Sequence, residues 1–385
     1  MVLASALLSL AIWIYLLMAR GRFWDTTPPA APPEASAPPL TNIRVTAVIP
    51  ARNEAEGIGS TVASLLNQDL PLGVSVIVVD DHSTDGTADI ARHTAEALGK
   101  SDRLTVLSGA PLPEGWTGKL WAVSQGLAAI APGSADFVLL TDGDITHARD
   151  NVSVLVRRAL GNRLDLVSLM VRLSTANALE RWAIPAFVFF FFMLYPPRWA
   201  GDPRNRLAAA AGGCMLVRPA ALDRIGGIAR IRGALIDDCA LAAAIKASGG
   251  HIRLDPSVTT VSTRVYRDIG EIWGMIARTA FTQLRYSPLL LAGTLLGLAV
   301  TYLAPPLLAL FADGAARWIG LGAWVLMAGA FARTLRLYGL GIWRGLFLPV
   351  IAVFYAAATI GSALDYWRGK GGRWKGRAQA LAKGN

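Results

Sequence analysis

The stretch "FVLLTDGDITH", Phe137–His147, runs five apolar or near-apolar residues directly into two carboxylates that are separated by one glycine. The run predicts a buried β-strand over Asp136–Asp142, with Asp142 and Asp144 at its carboxyl end. Two like charges beside a core repel each other, so the pattern indicates that a cation binds there. The alternative interpretation is a tight turn that closes the strand, although such a turn needs only one of the two acids.

Three more β-branched runs precede this strand, and a helical pattern follows each of them. The predicted strands are Val45–Pro50, Ser75–Asp80 and Leu104–Ser108, and the predicted helices are Ala55–Leu66, Thr87–Leu98 and Lys119–Ile130. This alternation is typical of an α/β domain in which crossover helices connect the strands of a parallel sheet. In such a sheet, ligands bind outside the carboxyl ends of the strands.

Polar side chains follow the predicted strands at that edge. Asn53 and Glu54 follow the first strand, and Asp80 and Asp81 close the second, ahead of "HSTDGT". Each has a local explanation, a turn or a helix cap, but together they gather acids and amides at one edge. This edge suits hydrogen bonding to a base and ribose, with Mg²⁺ or Mn²⁺ linking carboxylates to a diphosphate. No G-x-G-x-x-G follows the first strand, and no P-loop motif occurs.

The apolar residues are unevenly distributed along the chain. Of 385 residues, 53% are hydrophobic, the mean hydropathy is +0.42, and the excess lies near the amino terminus and after Pro288. Residues 1–20 predict a transmembrane anchor, and Arg20 and Arg22 place its carboxyl end in the cytoplasm. A cleaved signal peptide is the alternative, but no basic residue precedes the apolar run. Residues 21–41 form a Pro/Ala-rich linker.

The carboxy-terminal part predicts membrane segments over 288–364 and a basic tail over 365–385. Its three apolar stretches are 289–312, 318–332 and 346–364, of which the middle one is short. Arginines between the last two stretches and the basic tail both favour the cytoplasmic side. Three full crossings cannot satisfy both, so we expect one stretch to be re-entrant or interfacial, and the sequence leaves open which one.

The net charge of +10 is compatible with nucleic acid, membrane surfaces or phosphorylated ligands. The basic residues lie beside apolar segments, and no nucleic-acid-binding motif appears. Attraction to anionic headgroups or phosphorylated substrates explains the charge better, so we expect a membrane partner and no nucleic acid.

Five motifs occur in the order typical of one enzyme family. "VIPARNE", "VVDDHSTDGT", "TDGD", "GGCMLVR" and "IDDCALAAAI" together resemble family 2 glycosyltransferases over residues 42–287. The resemblance implies a GT-A fold, the Rossmann-like fold of nucleotide-diphospho-sugar transferases. "PEGWTGKLWA" and "WKGR", together with the apolar ends of the chain, are most similar to membrane-bound hopene-associated and carotenoid-type lipid glycosyltransferases.

The resemblance also implies roles for residues that bind the donor. Pro50, Asn53 and Glu54 would line the nucleotide pocket, and Asp81 would contact the base or ribose. Lys119 stands where the family often places a basic residue near the donor.

The catalytic carboxylates follow from the same resemblance. Asp142 and Asp144 match the D-x-D motif, in which the second acid usually contacts the metal. Asp238 matches the general base, with Asp237 in place of the usual glutamate. An inverting transfer needs such a base, because the acceptor hydroxyl must lose its proton while a cation holds the leaving diphosphate. The alternative interpretation of Asp237 and Asp238 is plain capping of the helix that follows.

Two further segments are candidates for substrate contacts. Gly212 and Gly213 would let an acceptor approach the backbone, and we expect the aromatic run at 186–199 to be an interfacial element that receives a lipid. Processive polysaccharide synthases carry Q-x-x-R-W, whereas "FTQLRYSP" offers Gln283 and Arg285 with shorter spacing and no tryptophan. Arg285 would still neutralise a diphosphate.

The sequence therefore predicts a metal-dependent, inverting glycosyltransferase that uses a nucleotide-diphosphate-sugar donor and a lipid acceptor, with hopanoid-related lipids implied by the resemblance. We expect it in a bacterial inner membrane with the catalytic domain facing the cytoplasm. A polysaccharide synthase and a non-enzymatic nucleotide-sugar-binding membrane protein are the alternatives.

Overall fold

A computed structural model of the chain describes residues 1–32, 39–369, 373–374 and 377–378. Part of the linker predicted at 21–41 and most of the basic tail predicted at 365–385 lie outside the described residues. The contacts divide the chain into two units. We call 28–173 and 199–264, with the last strands of the chain, the sheet unit, and we call 1–27, 174–198 and 265–372 the helical unit.

The strands form one large sheet and one short hairpin. They are β1 Val45–Ala51, β2 Val74–Asp80, β3 Leu104–Ser108, β4 Phe137–Thr141, β5 Ile145–His147, β6 Leu166–Arg172, β7 Cys214–Val217, β8 Ile252–Ser262, β9 Arg373–Trp374 and β10 Arg377–Ala378. The first eight make a sheet in the order β3-β2-β1-β4-β7-β6-β8-β5, and β9 pairs with β10.

The sheet is parallel in its first half and mixed in its second. β1 pairs in parallel with β2 and β4, and β2 with β3, as the alternation in sequence predicts. β7 then runs antiparallel to both β4 and β6, β6 and β8 are parallel, and β5 is antiparallel to β8. The prediction of a parallel sheet, which concerned β1–β4, is therefore confirmed, and the later strands, for which no direction was predicted, add both parallel and antiparallel pairs.

The helices include long apolar segments at both ends of the chain. They are α1 Val2–Ala19, α2 Ile58–Leu66, α3 Thr87–Ala97, α4 Gly118–Ala128, α5 Asn151–Gly161, α6 Ala178–Leu194, α7 Pro197–Gly201, α8 Pro219–Arg224, α9 Asp237–Ala247, α10 Ile269–Gln283, α11 Pro288–Leu298, α12 Ala304–Phe311, α13 Gly314–Leu337 and α14 Leu348–Trp367.

The core of the sheet unit lies on both faces of the sheet. Ala47 and Ile49 of β1 pack into one cluster of buried apolar residues, which includes Val62 of α2. Val48 points to the other face, into a cluster with Leu120 of α4 and Leu241 of α9. A strand that is buried on both faces explains the nearly continuous apolar runs in the sequence. The polar residues that close these runs are left at the strand ends.

The helical unit contains all the long apolar helices of the described chain. Four segments there are long and apolar enough to cross a membrane, namely Val2–Ala19, Pro288–Phe311, Gly314–Leu337 and Ile342–Trp367. The middle apolar stretch, predicted to be short at 318–332, belongs to a longer helix, because α13 has 24 residues. The prediction that one stretch is re-entrant stays a prediction, as do the domain ranges read from the sequence.

The aromatic run predicted to meet a lipid lies in α6. Phe189 and Phe192 are fully buried, and the ring of Phe189 makes edge contacts with Phe23 and Phe331, whose centroids lie 5.4 and 5.2 Å away. These rings therefore contribute to the core of the helical unit.

Candidate active site

The loop after β1 fixes the segment that follows β2. Asn53 adopts a left-handed backbone conformation with φ of 51°. Its side-chain oxygen accepts a hydrogen bond from the Thr84 backbone at 2.9 Å, and its own N–H donates to Ser83 Oγ at 2.9 Å. Asn53, which was predicted to bind nucleotide, thus holds the "HSTDGT" loop in place.

The second strand end carries two acids with different environments. Asp80 accepts a hydrogen bond from the Ser83 backbone at 3.2 Å and so closes the turn. Asp81 is 3% exposed, and its carboxylate lies 3.5 Å from Arg52 Nη1 and 3.3 Å from His82 Nδ1. The sequence alone does not show that Arg52 pairs with Asp81, because the two residues belong to different loops.

Asp142 and Asp144 follow β4, as predicted, with Glu54 beside them. A Cβ on Gly143 would lie 3.0 Å from Glu54 Cγ, so the Glu54 side chain packs closely against this turn and would have to shift if a larger residue replaced the glycine. Asp144 accepts a hydrogen bond from Ser262 Oγ at 3.1 Å. Burial and the charge of Asp142 raise the pKa of Asp144, while the Ser262 hydroxyl lowers it less. The two carboxylates therefore repel each other, as a pair that serves a cation would.

Lys119 stands in the first turn of α4 and joins acids from two elements. Thr117 is the N-cap of this helix and accepts a hydrogen bond from the Leu120 N–H. Lys119 is therefore the second residue of the helix. The ammonium lies 2.9 Å from Asp142 Oδ1 and 3.2 Å from Asp237 Oδ2. Burial acts to lower the pKa of Lys119, but Asp142 and Asp237 outweigh it and raise the pKa, so the side chain stays protonated.

Asp238 lies in the first turn of α9 and is held by two backbone amides. Its Oδ2 accepts the Gly212 N–H at 2.8 Å, and its Oδ1 accepts the Cys239 N–H at 2.7 Å. The first bond reaches beyond the helix, and the second is a local contact to the next residue. The N-cap of α9 is Ile236, which makes no side-chain capping bond, so the alternative interpretation of Asp237 and Asp238 as plain caps is not supported. Burial and the neighbouring Asp237 raise the pKa of Asp238 to about 6, against the opposing charge of Lys119.

The two glycines of "GGCMLV" have separate surroundings. A Cβ on Gly212 would lie 3.2 Å from Lys119 Nζ and 3.5 Å from Asp238 Oδ2, so this residue forms part of the charged cluster. A Cβ on Gly213 would lie 3.0 Å from Val171 Cγ1, which places Gly213 against the core.

A buried chain of hydrogen bonds runs behind this cluster. Asn151 Nδ2 donates to His147 Nδ1 at 3.0 Å, which leaves the ring proton on Nε2, facing Thr141 Oγ1 at 3.1 Å. Thr141 in turn donates to the Gly213 carbonyl at 2.7 Å. Burial lowers the pKa of His147 to about 4, so the ring is neutral. These hydrogen bonds connect β4, which Asp142 follows, to the loop whose Gly212 amide binds Asp238.

A cleft at the edge of the sheet has walls that include Pro50, Lys119, Asp142, Gly212 and Asp237. Asp238 is not a wall residue and reaches this cleft through its bond to the Gly212 amide. The structure thus brings together predicted residues from β1, α4, β4, the loop before β7, and α9.

Gln283 and Arg285 belong to the helical unit. Gln283 Nε2 donates to the Tyr195 hydroxyl at 2.5 Å, and Arg285 has a left-handed φ of 51°. Their predicted role at the donor stays a prediction.

The site also contains residues that sequence reasoning missed. Ser262 and Arg264 come from the end of β8, and both act on the charge of Asp144. His147 and Thr141 lie within the opening motif but were not assigned a role. Ser262 and Arg264 belong to no motif, so only the pairing of β5 with β8 reveals them.

The donor set fits a hard divalent cation. Asp142 and Asp144 offer carboxylate oxygens at one strand end, which is the ligand type that Mg²⁺ and Mn²⁺ prefer. Within the described ranges, no group of three or more His, Cys, Asp or Glu side chains is arranged to hold a metal ion. A cation at this pair would therefore take further ligands from water and from substrate phosphates, as Mg²⁺ usually does.

A half-parallel sheet of this order, with acids and a lysine at its strand ends, is that of a GT-A glycosyltransferase. Residues 46–226 match the family model "Glycosyl transferase family 2", and this part of the chain is a domain of that family. The resemblance stated from the motifs, and the expected class of enzyme, are thereby confirmed.

Two comparisons describe what the chain is similar to. It is 37% identical over 116 residues to the 4,4'-diaponeurosporenoate glycosyltransferase of Staphylococcus aureus, which corresponds to 30% of this chain and 28% of that relative's length. The mannosyltransferase PcManGT of Pyrobaculum calidifontis, solved with GDP-Man and Mn²⁺, superposes with a TM-score of 0.58 at 21% identity, covering 96% of this chain and 100% of the other. The second likeness concerns the fold.

Proposed function

We propose that the protein transfers a sugar, with inversion, from a nucleotide diphosphate donor to a membrane lipid. The observation that carries this proposal is the position of Asp238, held by the Gly212 amide beside Lys119 and Asp142. A carboxylate with a pKa of about 6 is ionised at neutral pH and can still accept a proton from a hydroxyl, which is the property of a general base.

The reaction requires one bond to form as another breaks. The acceptor oxygen attacks the anomeric carbon, its proton passes to Asp238, and the bond from that carbon to the donor diphosphate breaks with its electron pair on the diphosphate. Lys119 forms ion pairs with Asp142 and Asp237. Asp238 lies beside these residues but forms no direct ion pair with Lys119. Asp80, Asp81, Pro50, Asn53 and Glu54 would shape the nucleotide end of the cleft.

Asp142 and Asp144 would hold Mg²⁺ or Mn²⁺, with Asp144 as the main ligand. When bound, the cation supplies positive charge to the leaving diphosphate. Support for this assignment comes from the raised pKa of Asp144, caused by burial and by Asp142, and from the hard oxygen ligands. The similar PcManGT structure contains Mn²⁺.

The lipid nature of the acceptor rests on the rest of the chain. Four segments of the helical unit are apolar enough to cross a membrane, and the similar S. aureus protein is a 4,4'-diaponeurosporenoate glycosyltransferase. We therefore propose an apolar lipid acceptor, with hopanoid-related lipids as the first class to test. Lipid profiles of a deletion strain and its parent would identify the sugar and the acceptor together.

We further propose that the protein lies in the bacterial inner membrane with its sheet unit in the cytoplasm. Arg20 and Arg22 follow α1 directly, and short basic segments stay on the cytoplasmic side. A protease added to intact spheroplasts should leave the sheet unit uncut. Cleavage near the Pro-rich linker under these conditions would reverse the proposed orientation.

The decisive experiment replaces Asp238 with Asn. The substitution keeps the size of the side chain but removes the proton acceptor, so turnover should fall by roughly 10²–10⁴. Donor affinity should barely change, because other residues hold the diphosphate. Asp237→Asn is the matched variant and should be milder if Asp237 mainly pairs with Lys119.

Turnover and donor binding would be measured on the same purified variants in detergent, with lipid extract as acceptor. Full activity of Asp238→Asn together with an inactive Asp237→Asn would move the base to Asp237. Full activity of both would place the base elsewhere. A wild type that binds donor but never turns over would favour a non-enzymatic binding protein.

A further inference from the structure

The helical unit contains an apolar groove that the proposed reaction does not use. It has a volume of about 380 Å³ and lies among α6, α10, α14 and the segment Ile342–Phe347. We call it the α10–α14 groove. Its lining includes Trp182, Ile272, Trp343, Phe347, Val350 and Phe354.

The lining of the groove is exposed to an unusual degree for large apolar side chains. Val350 is 68% exposed and Trp343 is 56% exposed. Contiguous apolar surface of this kind marks a binding site for an apolar partner or for lipid. Because the groove is bordered by a segment long and apolar enough to span a membrane, Ile342–Trp367, hydrocarbon is the environment that suits it.

A cation lies against two aromatic rings that line the groove. The guanidinium carbon of Arg344 is 4.5 Å from the centroid of the Trp182 ring and 5.3 Å from that of Trp343. Both tryptophans line the groove, so the positive charge is fixed beside its apolar wall. Such cation–π contacts orient a guanidinium but do not neutralise it.

The charge of Arg344 has no acid partner in the part of the chain that the structure describes. Its Nη1 is buried and makes no hydrogen bond to any described residue. Arg333 of the same unit differs, since its Nη1 lies 3.3 Å from Asp25 Oδ1. A partly desolvated guanidinium without a carboxylate is costly unless an anion from outside the chain pairs with it.

We propose that the α10–α14 groove is a binding site for an anionic phospholipid of the bilayer. One acyl chain would lie along Val350 and Phe354, and the lipid phosphate would pair with Arg344. Arg344 stands near the start of the last apolar segment, the depth at which tryptophan rings and basic side chains meet headgroups. This proposal is independent of the sugar transfer, because it rests only on residues of the helical unit.

The test uses the full-length protein, purified in detergent and exposed to phosphatidylglycerol or phosphatidylcholine. Native mass spectrometry would count the bound lipids. The wild type should bind phosphatidylglycerol about fivefold better than phosphatidylcholine, and Arg344→Gln should lose that preference, since one basic side chain near a headgroup contributes about this factor. Arg344→Lys should keep most of it, because the charge remains.

Two further variants keep the result interpretable. Arg317→Gln makes the same charge change near the opposite end of α13 and should leave the preference intact. Val350→Trp fills the groove and should weaken binding of both lipids severalfold. An unchanged preference in Arg344→Gln, an equal loss in Arg317→Gln, or unchanged lipid binding in Val350→Trp would each overturn the proposal.

Discussion

Lys119 in the sheet unit and Arg344 in the helical unit are both cations in partly buried positions, but their surroundings differ. Lys119 is 17% exposed at its side chain and lies within 3.2 Å of two carboxylates. Arg344 packs against two indole rings and forms no ion pair with a carboxylate among the described residues. The sheet unit thus neutralises its cation internally, whereas the helical unit leaves the counter-ion to come from outside.

The difference separates two kinds of buried charge. A cation that is bound by acids of its own chain sets the positions and pKa values of those acids, so it acts inside the site. A cation that is oriented only by aromatic rings keeps its charge available to a ligand. If this distinction is right, removing Lys119 should damage the fold and the reaction, whereas removing Arg344 should change mainly what binds.

The largest effect is expected for Lys119→Met. The substitution leaves Asp142 and Asp237 without their shared cation. Because the Asp142 side chain is 36% exposed, the loss of unfolding free energy should lie below the roughly 3–5 kcal/mol that is typical of a fully buried ion pair. Thermal unfolding in detergent should therefore occur at a clearly lower temperature than for the wild type. Lys100→Met, which removes contacts to neutral oxygens only, is the control and should have a smaller effect.

The double variant Lys119→Met with Asp142→Asn sharpens this prediction. It removes the cation together with one of its acids, so it should recover part of the lost stability. Lack of any recovery, or a single variant as stable as the wild type, would contradict the view that Lys119 is internally neutralised.

A smaller effect is expected at the acid pair. Asp144→Asn should weaken binding of a nucleotide diphosphate by about tenfold in the presence of Mg²⁺ or Mn²⁺, because it removes one direct ligand. EDTA should weaken binding by the wild type to a similar extent. Calorimetry would measure both, and an unchanged wild-type affinity in EDTA would remove the metal from the proposed function.

The pH dependence of turnover gives a further comparison. Burial and Asp237 raise the pKa of Asp238 to about 6, and a general base works only when it is ionised. At saturating substrates, turnover should therefore be constant above about pH 7 and fall up to tenfold per pH unit well below pH 6. A rate that stays constant down to pH 5 would argue against Asp238 as the base.

The smallest effect is expected behind the site. His147→Phe removes the ring nitrogens that connect Asn151 to Thr141, and so it weakens the support of the Gly213 carbonyl. Because one internal hydrogen bond contributes about 1 kcal/mol, turnover should fall by roughly fivefold while donor affinity stays the same. His93→Phe, on the exposed side of α3, is the control. Equal changes in turnover and donor affinity would indicate a general loss of structure instead.

The sequence predicts the first half of the sheet because its central strands are apolar runs that polar residues follow closely. β1 and β4 are buried throughout, whereas β3 is only partly buried. The acids that close β2 and follow β4 identify the edge of the site. β7 has only four residues, Cys214–Val217, and β5 has three. Runs this short carry little periodic signal, and nothing local shows that β7 pairs in the reverse direction.

The contacts inside the site show a second limit. The types of Lys119, Asp142 and Asp238 are readable from the motifs, but their pairing is not, because each comes from a different element. The bond from the Gly212 amide to Asp238 exists only after β7 and α9 have packed. For the same reason, the sequence leaves open whether Asp238 caps a helix or serves as a base, and the structure shows it at the second position of α9, after an N-cap residue that makes no side-chain capping bond.

The charged cluster has a consequence for the order in which ligands bind. Asp142, Asp237 and Asp238 surround a single ammonium, that of Lys119, so this cluster carries a negative charge before any ligand enters. A nucleotide diphosphate is itself an anion and would approach against this field unless a cation accompanies it. Metal and donor are then thermodynamically linked, and the factor by which the metal tightens donor binding equals the factor by which the donor tightens metal binding. The negative charge of the acids would thereby disfavour the binding of nucleotides without a metal ion, and no conformational change is needed for this selection.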